Sequence, residues 1–260
     1  MPSANLRFSW GISPMVSLPT LPRFSWLKRL SIAMAGALVA FGLSALAGWV
    51  AGIDPLVQVS PWFAPLRVNT ALSLVILGLL LLGLEYGHRS LAGLALIPAM
   101  LGGLSLLQDF TGWDLLIDEW LVRDHLADQS AAPGRITAPV ALCLLLSGTA
   151  FSWFAIDRSR RRRTLALAFV SSITLSVGAS TLAGYVLGAP VVYRWGLQSS
   201  TGPLAAAALL LLGAAILLLA WRENLADEPG APGWLPMPIM LGAATLTLVF
   251  WIGLRERETV

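Results

Sequence analysis

The sequence predicts an all-α integral membrane protein with seven transmembrane helices, arranged as three parallel-repeat helical hairpins plus one C-terminal helix. Seven apolar stretches carry this reading, at about 30–52, 66–84, 91–108, 136–155, 164–187, 204–221 and 235–254. Each approaches the roughly 20 residues a helix needs to cross about 30 Å of hydrocarbon. None has an ionisable residue near its centre; Arg67, Glu85 and Asp109 stand at ends. Composition agrees: the chain is 57% hydrophobic and 12% charged, with a mean hydropathy of +0.76, against roughly 25% charged residues in soluble domains.

In chain order, residues 1–29 read as a cytoplasmic amphipathic leader. It holds Arg7, Arg23, Lys28 and Arg29 beside Phe8, Trp10, Phe24 and Trp26. It lacks the apolar core of a cleaved signal peptide. The membrane domain follows over 30–254, and 255–260 forms a periplasmic tail. Because that tail ends in charged Arg255, Glu256, Arg257 and Glu258 without a stop or cap, truncation from a longer chain is expected. The connections at 85–90 and 157–163 are tight turns, whereas 222–234, with Pro229, Gly230, Pro232 and Gly233, is a linker that sets the seventh helix apart.

Lys and Arg in short loops favour the cytoplasmic side. With the N-terminus inside, eleven basic residues fall in inner segments and six in outer ones, and the Arg158–Arg163 cluster fixes the choice. The N-terminus is therefore cytoplasmic and the C-terminus periplasmic. Tryptophan rings prefer the headgroup boundary. Trp49, Trp62, Trp113, Trp120, Trp195 and Trp251 fall near outer ends, and Trp26, Trp153, Trp221 and Trp234 near inner ones. A net charge of +3 and a pI near 9.6 do not indicate nucleic acid, because the bases flank helix ends rather than lining a soluble face.

The second helix of each hairpin carries a glycine in a leucine-rich run: Gly78, Gly148 and Gly213, spaced 70 and 65 residues apart. All three hairpins would run in the same direction through the membrane. The first helices carry small residues four apart: Gly36, Ala40, Ser44, Gly48 and Gly52; Ala95, Ala99 and Gly103; Ala168, Ser172, Ser176, Ser180, Gly184 and Gly188. Such stripes let helices approach closely in lipid. They place the first, third and fifth helices at the packed centre and turn the leucine-rich second, fourth and sixth towards lipid or a partner. The serines of the fifth helix could line a polar path, but bonding back to their own helix carbonyls is the simpler reading.

Chemistry is sparse. With no ionisable group in mid-membrane, an ion-coupled transporter, proton pump or electron carrier is disfavoured. His88 and His125 lie on opposite faces, which excludes a bis-histidine haem, and Cys143 stands alone. No nucleophile motif, HExxH, P-loop or nucleotide fingerprint occurs, so the chain reads as a non-enzyme without a cofactor. The richest polar segment is the outer loop between the third and fourth helices, where Trp113, Leu116, Ile117 and Trp120 alternate with Asp114, Asp118 and Asp124. This pattern predicts a short outer amphipathic helix at about 113–126, with Glu119 and Arg123 paired at i, i+4. A cation or pH sensor built from Asp114, Asp118, Asp124 and His125 is the sharp alternative to a solvated face. The candidate signal- or ligand-facing residues are Asp54, Arg67, Asp114, Asp118, Asp124, His125, Arg135, Tyr193, Arg194 and Trp195.

The helix starts Arg67-Val-Asn-Thr-Ala-Leu and Arg135-Ile-Thr-Ala-Pro-Val-Ala-Leu, followed by Leu-Leu-Leu-Gly runs, resemble the multi-pass MASE-like membrane sensor regions of bacterial histidine kinases and diguanylate cyclases. In the first copy the match rests on Arg67, Asn69, Thr70, Ala71 and Leu72, and in the second on Arg135, Ala141, Leu142 and Cys143. The third copy has lost the Asn-Thr pair. The resemblance covers about residues 30 to 258 and implies a membrane-embedded sensory or anchoring module in a bacterial inner membrane. It also implies a homodimer and a cytoplasmic or periplasmic signalling domain, in the full-length protein or on a separate partner. No output module is present in the sequence. The competing expectation is a small transporter or channel for a neutral or lipid-like solute, which would need a continuous polar cavity across the bundle.

Overall fold

The computed structural model describes residues 25–126, 133–157, 159–195, 199–225 and 232–258. The apolar stretches are helices: α1 (Ser25–Ala51), α2 (Val68–Glu85), α3 (Leu96–Thr111), α4 (Ala138–Ile156) and α5 (Arg160–Leu187), then a single turn α6 (Pro190–Tyr193), α7 (Pro203–Leu225) and α8 (Pro236–Glu258). A 3-10 segment, Arg89–Ala95, leads into α3. Six of these elements are long and apolar enough to cross a membrane, the 3-10 segment counting with α3, and α8 contributes a shorter apolar stretch, Pro236–Leu248. Of the expected leader, residues 1–24 lie outside the described residues and 25–29 open α1. The four residues Arg255 to Glu258 continue α8 rather than leaving it. Two-residue strands β1 (Arg194–Trp195) and β2 (Ser199–Ser200) pair antiparallel beside α6.

Helix starts follow local chemistry. Arg67 and Thr137 precede α2 and α4 in extended backbone, φ/ψ −66/147 and −67/145. Proline stands in the first turn of α4 and at the first position of α7 and α8, where its missing N–H costs nothing. Gly112, in left-handed backbone at φ 73, ends α3 by returning its N–H to the Gln108 carbonyl.

Three antiparallel helix pairs share one crossing. A Cβ on Gly42 of α1 would stand 2.7 Å from the Ala71 carbonyl oxygen of α2, and one on Gly78 of α2 would stand 3.0 Å from that of Ala35. In the second pair Gly102 faces Ala141 and Gly148 faces Ala95 and Ala99; in the third Gly178 faces Ala206 and Gly213 faces Leu175. Each second-helix glycine lies ten residues after the start of its helix. Between pairs, α3 and its 3-10 lead pack on α2, α5 packs on α4, and α1 packs on α7, closing a ring. Helix α8 stands beside that ring, its packing concentrated on α5.

The centre of the ring reverses the expectation from small-residue stripes. The spanning windows of α2, α4 and α7 are 67%, 56% and 61% buried, against 28% for α1, 39% for α3 and 50% for α5. A helix apolar all round suits burial on all sides, and Leu74, Leu77, Leu80, Leu81, Leu144, Leu209 and Leu212 fill the interior. On α1 the contact face is Ala35, Leu38, Gly42 and Ala45, while Ala40 and Gly52 are exposed and Gly36 meets nothing. In α3 it is Gly102, rather than Gly103, that makes the close approach. The α5 stripe is buried at Ala168, Ser172, Ser176 and Gly184. In the stripe Ser172 donates to the Ala168 carbonyl and Ser180 to that of Val177, as do the neighbouring Ser171 and Thr174 to Ala168 and Val170, whereas the buried Ser176 hydroxyl has no partner.

Charge collects at the two ends. The cluster end holds Arg160–Arg163, with Glu85, Glu223 and Asp157; the loop end holds the segments between α1 and α2, between α3 and α4, and between α5 and α7.

Candidate functional site

The segment at 113–126 is not a helix. Its backbone is a succession of bends, with Leu116 at φ 57. The reason is competition from side chains: Asp114 accepts the Leu116 N–H at 3.0 Å in an Asx turn, and Asp124 accepts that of Leu126 at 3.1 Å. Glu119 does not pair with Arg123 at helical spacing but accepts the Asp124 N–H at 2.9 Å.

Polar groups on the helix ends pin this loop. Asn69, in the first turn of α2, donates to the Ile117 carbonyl at 2.9 Å and accepts from Trp120 Nε1 at 3.1 Å. Arg67 forms an ion pair with Asp124, both side chains almost fully buried. The Gly134 N–H adds a second donor to that carboxylate at 3.1 Å. Gln108 of α3 donates to Asp118 Oδ2 at 3.0 Å, and Arg135 Nε reaches the same oxygen at 3.1 Å. Arg135 also lies 3.6 Å from Asp109.

These contacts frame a cavity of about 640 Å³ between the end of α3 and the loop. Its lining includes Gln108, Asp109, Asp114, Asp118, Glu119, Trp120 and Arg135. The side-chain donors among them already face protein acceptors: Gln108 faces Asp118, Trp120 faces Asn69, and Arg135 faces Asp118 and Asp109. Two buried acceptors, Gln108 Oε1 and Asp118 Oδ1, have no donor.

The ten expected residues therefore divide. Asp114, Asp118 and Arg135 line the cavity. Arg67 and Asp124 hold the loop from behind. Asp54 and His125 meet each other at 3.7 Å, with His125 edge-on to Trp49. Tyr193 belongs elsewhere, stacked 4.0 Å from Tyr185, whose hydroxyl donates to the Thr201 carbonyl. Arg194 is exposed, and the Trp195 side chain lies outside the described residues. The sensor set Asp114, Asp118, Asp124 and His125 is thus not assembled, since each of the last three has a different partner. Among the described residues no group of three or more His, Cys, Asp or Glu could hold a metal ion. Gln108, Asp109, Glu119 and Trp120 complete the cavity without having been expected there. Their one signal was the Gln-Asp pair ending an otherwise apolar span.

Comparison with known proteins finds no matching family model, no similar curated protein and no similar solved structure.

Proposed function

We propose that this chain is a membrane-embedded sensory or anchoring module of a bacterial signal-transduction protein, receiving its signal at the loop end and relaying it along α8. In this reading the cluster end is cytoplasmic, the loop end periplasmic, and the membrane is the bacterial inner one. Arginine excess at the cluster end supports that orientation. Helix α8 completes seven spans, and the shared register of the three glycine crossings supports three parallel repeats, in keeping with the MASE-like resemblance.

The observation that carries the proposal is the contrast between a closed ring of six helices and an eighth helix docked on α5 alone to any large extent. A shift of one to two ångström at such an interface is a known means of transmission. Ile239, Met240, Leu248 and Trp251 leave an exposed apolar face on α8, which suits lipid or the same helix of a second copy. Leucines fill the centre between the two ends, which speaks against a solute path.

Disulfide trapping in native membranes tests this. In a Cys143→Ser background, single cysteines at Ile239, Met240 and Leu248 should cross-link copies of the chain with helical periodicity, and reconstituted vesicles should show no solute flux. Flux across vesicle walls, or cross-linking without periodicity, would overturn it.

A further inference from the structure

We propose that a cavity at the cluster end, where α5, α7 and the start of α8 meet, holds the phosphate headgroup of an anionic phospholipid. It measures about 720 Å³, and its lining includes Arg161, Thr164, Leu165, Asn224, Trp234 and Met237. Arg161, Thr164 and Leu165 stand at i, i+3 and i+4 in the first turns of α5 and so share one face of that helix. Asn224 comes from the last turn of α7, Trp234 leads into α8 and Met237 opens it. The site stands apart from the relay reading, because a lipid can fill it whether or not α8 transmits anything.

Three polar side chains with unused hydrogen-bonding capacity meet there. Thr164 is 4% exposed, yet its hydroxyl has no partner among the described residues, whereas Ser171, Ser172 and Thr174 of the same helix all bond back to carbonyls. Nor is its oxygen sealed: the partnerless hydroxyls of Ser105, Ser147 and Ser176 have almost no accessible surface, while that of Thr164 keeps some in the cavity it lines. The half-buried Asn224 carboxamide makes no side-chain hydrogen bond among the described residues either. Glu223 holds Arg160 and Arg163, and Asp157 holds Arg162, which leaves Arg161 without a described carboxylate.

This set selects an anion. A hydroxyl and a carboxamide can donate or accept, but a guanidinium only donates, so the ligand that satisfies all three is a negatively charged acceptor. No described residue of the lining is a carboxylate. The surroundings carry the same sign: the described residues of this end hold eight bases, Lys28, Arg29, Arg89, Arg222 and the four at 160–163, against Glu85, Asp157 and Glu223. Phosphate oxygens match the guanidinium fork and accept from the other two groups as well. The apolar side of the cavity decides the source. Leu165 and Met237, each 41% exposed, lie with the Trp234 ring at the ends of apolar, membrane-length helices. Free phosphate would leave that side in water, whereas the glycerol and acyl chain of a lipid cover it. Basic cavities between spanning helices suit lipid headgroups for these reasons, and the volume lies within the range of small-molecule sites.

Native mass spectrometry of the full chain in neutral detergent tests this, with dioleoyl phosphatidylglycerol as probe. Phosphatidylcholine of the same chains, which adds a cation to the same phosphate, and inorganic phosphate serve as comparisons. Saturable binding of phosphatidylglycerol is expected, with phosphatidylcholine several-fold weaker and inorganic phosphate unable to displace the lipid. Arg161→Ala should weaken phosphatidylglycerol about fivefold. Thr164→Val, which keeps the side-chain shape and removes the hydroxyl, should weaken it several-fold at an unchanged melting temperature. Arg29→Ala, an exposed base at the same end, should bind as the parent does. The proposal is overturned by equal affinity for the two lipids, by parent-like binding in both cavity variants, or by an equal loss in Arg29→Ala, which would mean diffuse charge without a site. Displacement by inorganic phosphate at equal concentration would replace the lipid with a soluble phosphate and overturn it too.

Discussion

At the cluster end every described carboxylate faces an arginine, whereas the loop-end cavity sets four carboxylates around Arg135. Glu85 accepts from Ser31 of α1 at 2.6 Å and from Arg222 of α7, tying the first hairpin to the third. Glu223 holds Arg160 and Arg163 at 3.3 and 3.2 Å, and Arg163 lies 4.6 Å over the Phe154 ring of α4. Asp157 takes Arg162 at 3.2 Å. Paired charge of this kind fastens helices to one another. Around the loop-end cavity the acids outnumber the bases, whereas buried acceptors without donors occur at both ends, Glu85 Oε2 at one and Gln108 Oε1 at the other. The same residue types thus build a lock at one end and an acid-rich cavity at the other, and stoichiometry makes the difference.

Breaking the lock should have the largest effect. Glu223→Ala strands Arg163, whose side chain is 4% exposed, and loss of one partner of a buried pair costs about 3–5 kcal/mol. Thermal unfolding in detergent should register that loss, while Asp114→Asn, on the exposed rim of the loop-end cavity, should cost far less stability. Equal destabilisation by the two would abolish the contrast.

Both ends hang on the same helix crossings, so a change in mid-hairpin should disturb both. A valine at Gly148 would press on the backbone of Ala95 and Ala99, where even a Cβ would lie 2.5 to 2.7 Å away. Overpacking of this sort costs about 1–3 kcal/mol, and the melting temperature in detergent should fall accordingly. Trp120→Phe removes the N–H donated to Asn69, a loss of about 1 kcal/mol, and trims a ring that is 60% exposed. It should loosen the loop, measured as faster amide exchange over 113–126, and leave the cluster end unchanged.

The smallest effect concerns pH. Asp157 is held below the usual carboxylate range first by the Ser159 N–H and then by Trp153 Nε1, with desolvation opposing and Arg162 and Arg163 assisting. A lowered folded-state value means stabilisation that is complete above the unfolded-state pKa and lost as pH falls through the folded one. Asp157→Asn should flatten a shallow acid slope in the melting temperature below about pH 4, with no change near neutrality.

The spans were legible because hydropathy is a local property: the seven apolar stretches fall on the observed helices to within a few residues, apart from an earlier start to α1 and a later end to α8. Gly78, Gly148 and Gly213 stood out as the mark of a repeat, but their close approach to the first helices did not, since that was assigned to the small-residue stripes and the leucine-rich helices were turned outward. The back-bonding of Ser172 and Ser180 followed from their chemistry, and Ser176 departs from it. The loop was misread because the alternation of Trp113, Leu116, Ile117 and Trp120 fits a helix, while Asp114 and Asp124 capture local backbone N–H groups that a helix would need.

Sequence alone determined that this chain forms long apolar helices with its charge at their ends. Tertiary structure alone decided which of those helices lie at the centre, which glycine of α3 meets α4, and that Asp109 and Asp118 meet Arg135 across 17 to 26 residues of chain. The physical reason is that lipid tails and a leucine core are equally apolar. Composition can tell a helix from a loop in a membrane, but not the side of it that faces protein from the side that faces lipid.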